Sequence, residues 1–204
     1  YFMNYDTKIY TWMSGFLEFF EKLSRHKHKY GYESEKDGKY DVILCGYDRI
    51  GYSIYMTLKK QKRKILIVDF NPEAIKKLKD NKVPCVYGDI GDLEIIEQIG
   101  LEHAKMVIST VPTKNDNLLL IEKAREANKK LMIFVTSNHL DEALKLYKAG
   151  ADYVILPHFL GGDQVSVLIN KVGNDISKML KTKVTHLKEL KSRKEMGHEY
   201  PIHG

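Results

Sequence analysis

From residue 40 onward the chain alternates short continuous apolar runs with longer stretches in which apolar residues recur every three or four positions. The runs are Val42 to Cys45, Ile65 to Val68, Cys85 to Tyr87, Met106 to Ser109, Leu131 to Val135 and Tyr153 to Leu156. Each reads as a parallel strand covered by helices on both faces. The periodic stretches between them predict helices. Ile50, Ile54 and Leu58 line the first, and Asn71 and Pro72 open the second, which carries Ala74, Ile75 and Leu78 inward. Asp92 opens the third, with Leu93, Ile96 and Ile99 inward until Gly100. Leu120, Ala124 and Ala127 mark the fourth, and Leu144 and Tyr147 mark the fifth, which ends at Gly150. Six strands in strict alternation with helices predict an α/β fold with a six-stranded, doubly wound parallel sheet of order 3-2-1-4-5-6, a Rossmann-like arrangement.

The flanks have a different pattern. In residues 1–24, Ile9, Trp12, Met13, Phe16, Phe20 and Leu23 fall at helical spacing behind Asp6, a candidate N-cap, so the segment predicts an amphipathic helix. Its stripe needs a partner: another subunit, the back of the domain, or a membrane face. Residues 25–39 mix charge with glycine and have no apolar period, which predicts a linker to the sheet domain at 40–160. After the sheet, Gly161 and Gly162 are expected to break the chain and Asp163 to cap a helix over 161–182. Its stripe is Val165, Leu168, Ile169, Val172, Ile176 and Met179, and residues 183–204 read as a basic, flexible tail.

At 204 residues, 43% hydrophobic and 29% charged, the chain suffices for one full α/β domain with flanking helix. Cys45 and Cys85 both lie in predicted strands, which makes them buried thiols of a reducing compartment rather than a disulfide framework. No apolar run reaches the ~18 residues of a membrane span. The first residue is Tyr1, which suggests a piece of a longer protein. The window Lys171 to Lys194 holds eight Lys or Arg and two acidic residues, matching the formal net charge of +6 for the whole chain. A tail near an anionic membrane face accounts for it. Nucleic acid is not an expected partner, since no aromatic interleaving or binding motif accompanies the charge.

The candidate chemistry lies in residues 41–69, a strand, a Gly46-x-x-x-x-Gly51 turn, a helix and a second strand ending in Asp69. Such a βαβ unit holds the ribose and phosphate of a nucleotide. Gly46 allows the turn, Gly51 allows close helix packing, and the helix N-terminus attracts an anion. Asp69 can accept bonds from ribose hydroxyls and would repel a 2′-phosphate, so NAD or AMP fits better than NADP. Asp48 stands where the middle glycine of G-x-G-x-x-G would let a pyrophosphate lie against the backbone. Either its side chain turns away as an Asx-turn or helix cap, with Arg49 on the phosphate, or the site takes a smaller ligand or none. Asp48 moves the expectation from a dinucleotide toward AMP, with NAD(H), ADP and ATP as alternatives. The expected rim, at the carboxyl ends of strands one to four, is Gly46, Tyr47, Asp48, Arg49, Ile50, Gly51, Asp69, Phe70, Asn71, Asp89, Ile90, Thr110, Val111 and Pro112.

An NAD-dependent oxidoreductase is the competing reading, because the same sheet carries many dehydrogenases. Tyr55 and Lys59 match a Y-x-x-x-K spacing but lie on the first helix, away from where such a pair works. His158, oriented by Asp163, is the best lone general base, yet only about 45 residues follow the sheet and no substrate domain can be built from them. The expectation is therefore not an enzyme. His26, His28, His198 and His203 lack a second pair at fixed spacing, so no metal site is expected.

The succession DVILCGYDRIG, IVDFNPE, VYGDIGD, VISTVPTKNDNLLLI and GADYVILP over residues 40 to 160 resembles the regulator-of-potassium-conductance domain, also called the Trk N-terminal domain. The GD after strand three and the N-x-L-L-I after strand four are its more specific features. The resemblance implies control of potassium channels, Trk and Ktr transporters or Kef-type cation/proton antiporters by NAD(H), adenine nucleotides or ions. Positions matching its nucleotide site are Gly46, Tyr47, Arg49, Ile50, Asp69, Phe70, Asp89, Ile90 and Thr110. It further implies a helix after the sheet that packs on a second copy, hence a homodimer through 161–182; the alternative is a stripe folded back on its own domain. The segment YFMNYDTKIYTWMSGFLEFFEKL resembles the stretch leaving the last membrane helix of Kef-type antiporters. The implied protein is a regulatory domain on the cytoplasmic face of the cell membrane, attached to a transmembrane transporter domain of the same or a partner chain. An origin in a potassium channel or Trk/Ktr transporter is the alternative.

Overall fold

The computed structural model describes residues 39–195, so the expected helix at 1–24 and most of the linker at 25–39 lie outside the described residues. Six strands, β1 (Val42–Cys45), β2 (Ile65–Asp69), β3 (Cys85–Tyr87), β4 (Met106–Ser109), β5 (Met132–Thr136) and β6 (Tyr153–Ile155), form one sheet. Every pairing is parallel and the order is β3-β2-β1-β4-β5-β6, as the alternation predicts. In register, Val42 lies between Ile65 and Met106.

Five helices pack against the sheet: α1 (Arg49–Lys60), α2 (Pro72–Asp80), α3 (Leu93–Gln98), α4 (Lys114–Ala127) and α5 (Leu140–Ala149). Because successive strand residues point to opposite faces, the core splits in two. Ile43, Leu66, Val86, Val107, Ile133 and Val154 meet Ile95, Ile96, Leu120, Ile121, Ala143 and Leu146 from α3, α4 and α5. Val42, Leu44, Ile65 and Ile67 meet Tyr52, Tyr55, Leu58, Ile75 and Leu78 from α1 and α2.

Some helical faces are rotated from the expected ones. In α1 the buried residues are Gly51, Tyr52, Tyr55 and Leu58, whereas Ile50 and Ile54 are half-buried. Tyr47 explains the rotation: its ring packs edge-on against Tyr52 at 6.0 Å and Tyr55 at 5.5 Å, an aromatic cluster that turns the tyrosine face inward. In α3 Ile95 takes the inward place expected of Leu93, which is exposed. In α4 Ala127 is exposed, and in α5 Ala143 and Leu146 are buried while Leu144 and Tyr147 face out.

Among the described residues, α1 and α2 lie over β3, β2 and β1. Beyond them Met106 pairs with Met132, and Phe134 with Tyr153, on that same face. Met132 and Tyr153 are exposed, and the Phe134 and Tyr153 rings lie 5.8 Å apart. Among the described residues the β4 to β6 part of this face is thus only partly covered: Ile108 and Ile155 on it are buried, while Met132 and Tyr153 are exposed.

Past β6 the chain departs from expectation. Helix α6 (Pro157–Val172) starts at Pro157, a residue pre-set for the first helical turn, and runs through Gly161 and Gly162 instead of breaking there. Asp163 is accordingly mid-helix, not a cap. The break falls at Gly173, whose φ is +51°, and α7 (Ile176–Glu195) follows, so the expected flexible tail is helical as far as Glu195. Neither an interrupted helix at 161 nor a single helix over 161–182 is formed. No residue of α6 is buried.

Candidate nucleotide site

The carboxyl ends of β1, β2, β3 and β4 converge at the point where strand order reverses, between β1 and β4. Gly46 turns the chain there with φ of +88°, and its N–H donates to Val68 O at 2.8 Å. A Cβ on Gly46 would strike the Thr110 hydroxyl, and one on Gly51 would strike the Gly46 carbonyl oxygen. Both glycines are therefore required by close approach, as the spacing implies. Thr110, at the end of β4, closes the turn: its N–H donates to Cys45 O at 2.8 Å, and its hydroxyl donates to Cys45 O at 3.1 Å and Gly46 O at 3.2 Å.

Asp69, only 8% exposed, is the hinge of the site. One carboxylate oxygen accepts from Tyr47 N at 2.6 Å and the other from Asn71 N at 2.7 Å. Burial raises its pKa, against the lowering effect of those two N–H groups, and the Asp48 charge raises it further. Asp69 thus fixes the glycine turn, with two of its lone pairs taken by Tyr47 N and Asn71 N. Beside it, burial pushes the Cys45 thiol up to about 12, with the Asp69 charge adding to the effect. Neither Cys45 nor Cys85 is in a disulfide, and both are buried.

The other expected rim residues divide. Phe70 is 63% exposed and presents a ring at the mouth. Asn71 caps α2, accepting from Glu73 N at 2.9 Å, and Asp89 is exposed, accepting from Gly91 N at 2.9 Å. Pro112 is exposed and Val111 half-buried. Tyr47 and Ile90, by contrast, are buried in the core, so their main chains, not their side chains, face the site.

Asp48 is not the side-chain helix cap that a carboxylate turned away could make. It occupies the N-cap position of α1 without a side-chain capping bond, and it pairs with Arg49 at 3.3 Å. Both side chains are more than half exposed, so the pair is a weak surface one. Arg49 is thereby not held out for a phosphate alone. The first-turn N–H groups of α1 have no acceptor within the helix, as at any helix N-terminus.

Asn117 was not expected to matter. It is fully buried on α4, and its amide donates to Val111 O at 2.8 Å and to Thr136 O at 2.9 Å, while its side-chain oxygen has no partner. Thr136 in turn donates from its hydroxyl to Ser109 O at 2.8 Å. Asn117 thus ties the loop after β4 to the end of β5 and shapes the wall beside Thr110. Its signal was the N-x-L-L-I motif itself, a polar residue opening an apolar run.

His158 is exposed on α6, and Tyr55 is buried on α1 with the Lys59 ammonium 5.6 Å from its ring centroid. A buried tyrosine under a surface lysine is a packing arrangement. Among the described residues no group of three or more His, Cys, Asp or Glu is placed to hold a metal ion. No described helix is long and apolar enough to cross a membrane.

A parallel sheet with a glycine turn, an acidic residue ending β2 and a threonine closing the switch point defines a Rossmann-like fold of the nucleotide-binding type. The chain belongs to the TrkA-N domain family, whose model matches residues 42–157. It is 28% identical over 153 residues to probable potassium channel protein 2 of Methanocaldococcus jannaschii, covering 74% of this chain and 43% of that protein. It is 27% identical over 111 residues to the glutathione-regulated potassium-efflux system protein KefC of Klebsiella pneumoniae, covering 54% of this chain and 18% of that one. The chain spans less than half the length of these curated relatives.

Among solved structures, the TrkA-N domain of the inner membrane protein ybaL from Escherichia coli superposes with a TM-score of 0.61 at 22% identity, over 65% of this chain and 98% of that one. The Shewanella denitrificans Kef CTD in AMP-bound form gives 0.55 at 19% identity, over 78% and 95%. The GsuK channel bound to NAD gives 0.54 at 20%, over 66% and 24%. These likenesses establish the fold.

Proposed function

We propose that this chain is the ligand-sensing regulatory domain of a membrane monovalent-cation transporter, a K+ or Na+/H+ antiporter, controlled by an adenine nucleotide of which AMP is favoured. The observation that carries the reading is the strand-end site, where Asp69 braces the glycine turn and the first turn of α1 is left open to an anion. Asp48 supports a mononucleotide, because its carboxylate stands where a pyrophosphate would need to lie against the backbone. The fold is shared with proteins bound to AMP, ADP and NAD, and the curated relatives include a probable potassium channel protein and a potassium-efflux system protein. The site ligands would be Gly46, Asp48, Arg49, Gly51, Asp69, Phe70, Asn71, Asp89, Thr110 and Pro112, with the main chains of Tyr47, Ile50, Ile90 and Val111.

The signal is a population shift: nucleotide favours one arrangement of paired domains in proportion to its unequal affinity for the two. Pairing is supported by two incomplete surfaces. Met132 and Tyr153 are exposed on the β4 to β6 part of one sheet face, and α6, at 16 residues, buries none of its own. A homodimer in which α6 crosses to the second copy covers both. Residues 25–39 would carry the signal to the transmembrane domain, of the same or a partner chain, at the cytoplasmic membrane face. No catalysis is assigned to the domain in this reading, and the candidate base His158 is exposed on α6.

Calorimetric titration of AMP, ADP, ATP, NAD and NADH into the wild type and Asp69→Ala tests the reading. AMP is expected to bind the wild type most tightly and Asp69→Ala at least about tenfold more weakly, the loss of a charge-assisted bond and of the turn it braces. Silence from all five ligands would sink it, and turnover of a nicotinamide would favour the oxidoreductase.

A further inference from the structure

The second C-terminal helix, α7, is built unlike every helix that packs on the sheet. At 3.6 residues per turn, Ile176, Met179, Leu180, Val184, Leu187 and Leu190 fall within an arc of about 140°. All six are exposed, Ile176 to 76%. The same helix carries seven Lys or Arg against two Glu, a net charge of +5 over Ile176–Glu195. Lys178, Lys181 and Lys188 project from the side away from the arc, and Lys183 and Lys191 stand within it.

We propose that α7 lies on an anionic lipid surface, its apolar arc at the headgroup boundary and its lysines on lipid phosphates. Three features select this occupant. A protein partner packed on the arc would bury the Lys183 and Lys191 ammonium groups, whereas at a membrane interface their aliphatic stems lie along the apolar surface and the charges reach the headgroups. A second α7 would bring another +5 against the first. A nucleic acid would satisfy the lysines but leave six large apolar residues in water.

The attachment of α7 to the rest of the fold leaves the arc free to do this. Arg193, which projects away from the arc centre, donates from Nη2 to the Ser53 hydroxyl at 2.6 Å and pairs with Glu189 at 3.0 Å. Ser53 in turn donates to Arg49 O at 3.2 Å, in the first turn of α1. The polar side of α7 therefore meets the helix that opens the nucleotide site, and the apolar side faces outward. The lipid reading stands on α7 alone and holds whether or not the site takes a nucleotide.

The test is sedimentation of the whole 204-residue chain with vesicles of phosphatidylcholine alone or with about one third phosphatidylglycerol, at low and high salt. Binding is expected to be about tenfold stronger or more on the anionic vesicles and to fall with salt. Leu180→Asp with Leu187→Asp should abolish it, and Lys178→Gln, Lys181→Gln and Lys188→Gln together should remove the anionic preference. Both variants leave residues 1–38 unchanged, so any contribution from that segment cancels in the comparison. Melting temperatures equal to the wild type show that the sheet domain still folds.

No binding to anionic vesicles, or binding indifferent to both variants, overturns the proposal. So does RNA binding lost with the lysines while vesicles stay unbound, which would assign α7 to nucleic acid. A dimer broken by the aspartates without any vesicle binding would assign it to a second copy.

Discussion

Leu120 and Ile169 are both large aliphatic residues on helices that flank the same sheet, yet Leu120 is fully buried and Ile169 is 64% exposed. The contrast extends to the regions around them. From Val42 to Ile155 apolar side chains meet one another across two cores, and from Pro157 to Glu195 they meet solvent. A region whose contacts are internal sets stability; one whose apolar surface is unspent is available for coupling. The two should therefore respond oppositely to the same kinds of substitution.

Leu120→Ala is expected to cost about 2–5 kcal/mol through lost transfer energy and the cavity left behind. Ile169→Ala should change the stability of the monomer by no more than about 0.5 kcal/mol. Urea denaturation of dilute protein measures both, and equal losses would erase the distinction. At higher concentration Ile169→Asp should weaken self-association, read by sedimentation velocity, while leaving the monomer's stability in place.

Glycines sharpen the same contrast. Gly51→Ala drives a methyl group into the Gly46 carbonyl oxygen, where neither backbone can yield cheaply, and should cost about 2 kcal/mol or more. At Gly161, mid-helix with open space around it, alanine should gain up to about 1 kcal/mol from reduced backbone entropy in the unfolded chain. Paired thermal melts would show shifts of opposite sign.

At the far edge of the sheet, Arg125 donates to Gly150 O at 3.0 and 2.7 Å, to Leu131 O at 2.6 Å and to Asp152 at 2.7 Å. Arg125→Ala strands those acceptors and should cost about 1–3 kcal/mol. For Asp152, burial raises the pKa, but the Ile133 N–H and Arg125 outweigh it and leave the carboxyl below 3.8. Its contribution is present above the unfolded value and lost as pH falls through the lower folded one, so acid titration of the wild type should lose this increment below about pH 4. The increment is small, because Asp152 is half exposed.

What could be read beforehand follows the same division. Continuous apolar runs such as Ile65 to Val68 have one reading, a strand buried on both faces, so strand number, order and the switch point were legible. Helical faces were less so, because period alone cannot choose between Ile54 and Tyr55 until the Tyr47 ring, across the turn, decides which side is inward. Gly161 and Gly162 misled for a physical reason: Pro157 had already nucleated a helix, and a glycine in a formed helix costs about 1 kcal/mol without ending it. Residue types pointed to the strand ends that meet at the switch point, but not to which atoms face out. That Tyr47 and Ile90 offer main chain only, and that Asn117 shapes the wall, depends on contacts between strands distant in sequence.

Asp69 joins the two regions' chemistry to pH. Its folded pKa is raised, so the stability its protonation contributes is fully present below the unfolded value and lost as pH rises through the folded one. Ligand binding runs the other way, since a protonated Asp69 loses acceptors for ribose and for Tyr47 N. Nucleotide affinity should therefore decline on acidification from a pH above the ordinary carboxylate range, by about tenfold once protonation is complete. Calorimetry across a pH series checks this, and an affinity flat down to pH 4 would remove Asp69 from the ligand contacts.

The finest test concerns Asp48. Its carboxylate pairs with Arg49 at 3.3 Å and adds to the charge that raises Asp69, so two carboxylates and one guanidinium stand beside the glycine turn. Asp48→Gly removes the anion, releases Arg49 and restores the middle glycine at which a pyrophosphate can approach the backbone. NAD should gain about fivefold in affinity, roughly 1 kcal/mol, and AMP less, because a single phosphate at the helix N-terminus has less need of that approach. A mutant that gained equally for both ligands would show that Asp48 acts as a general electrostatic brake. A gain for NAD alone would make it the residue that sets the length of the ligand.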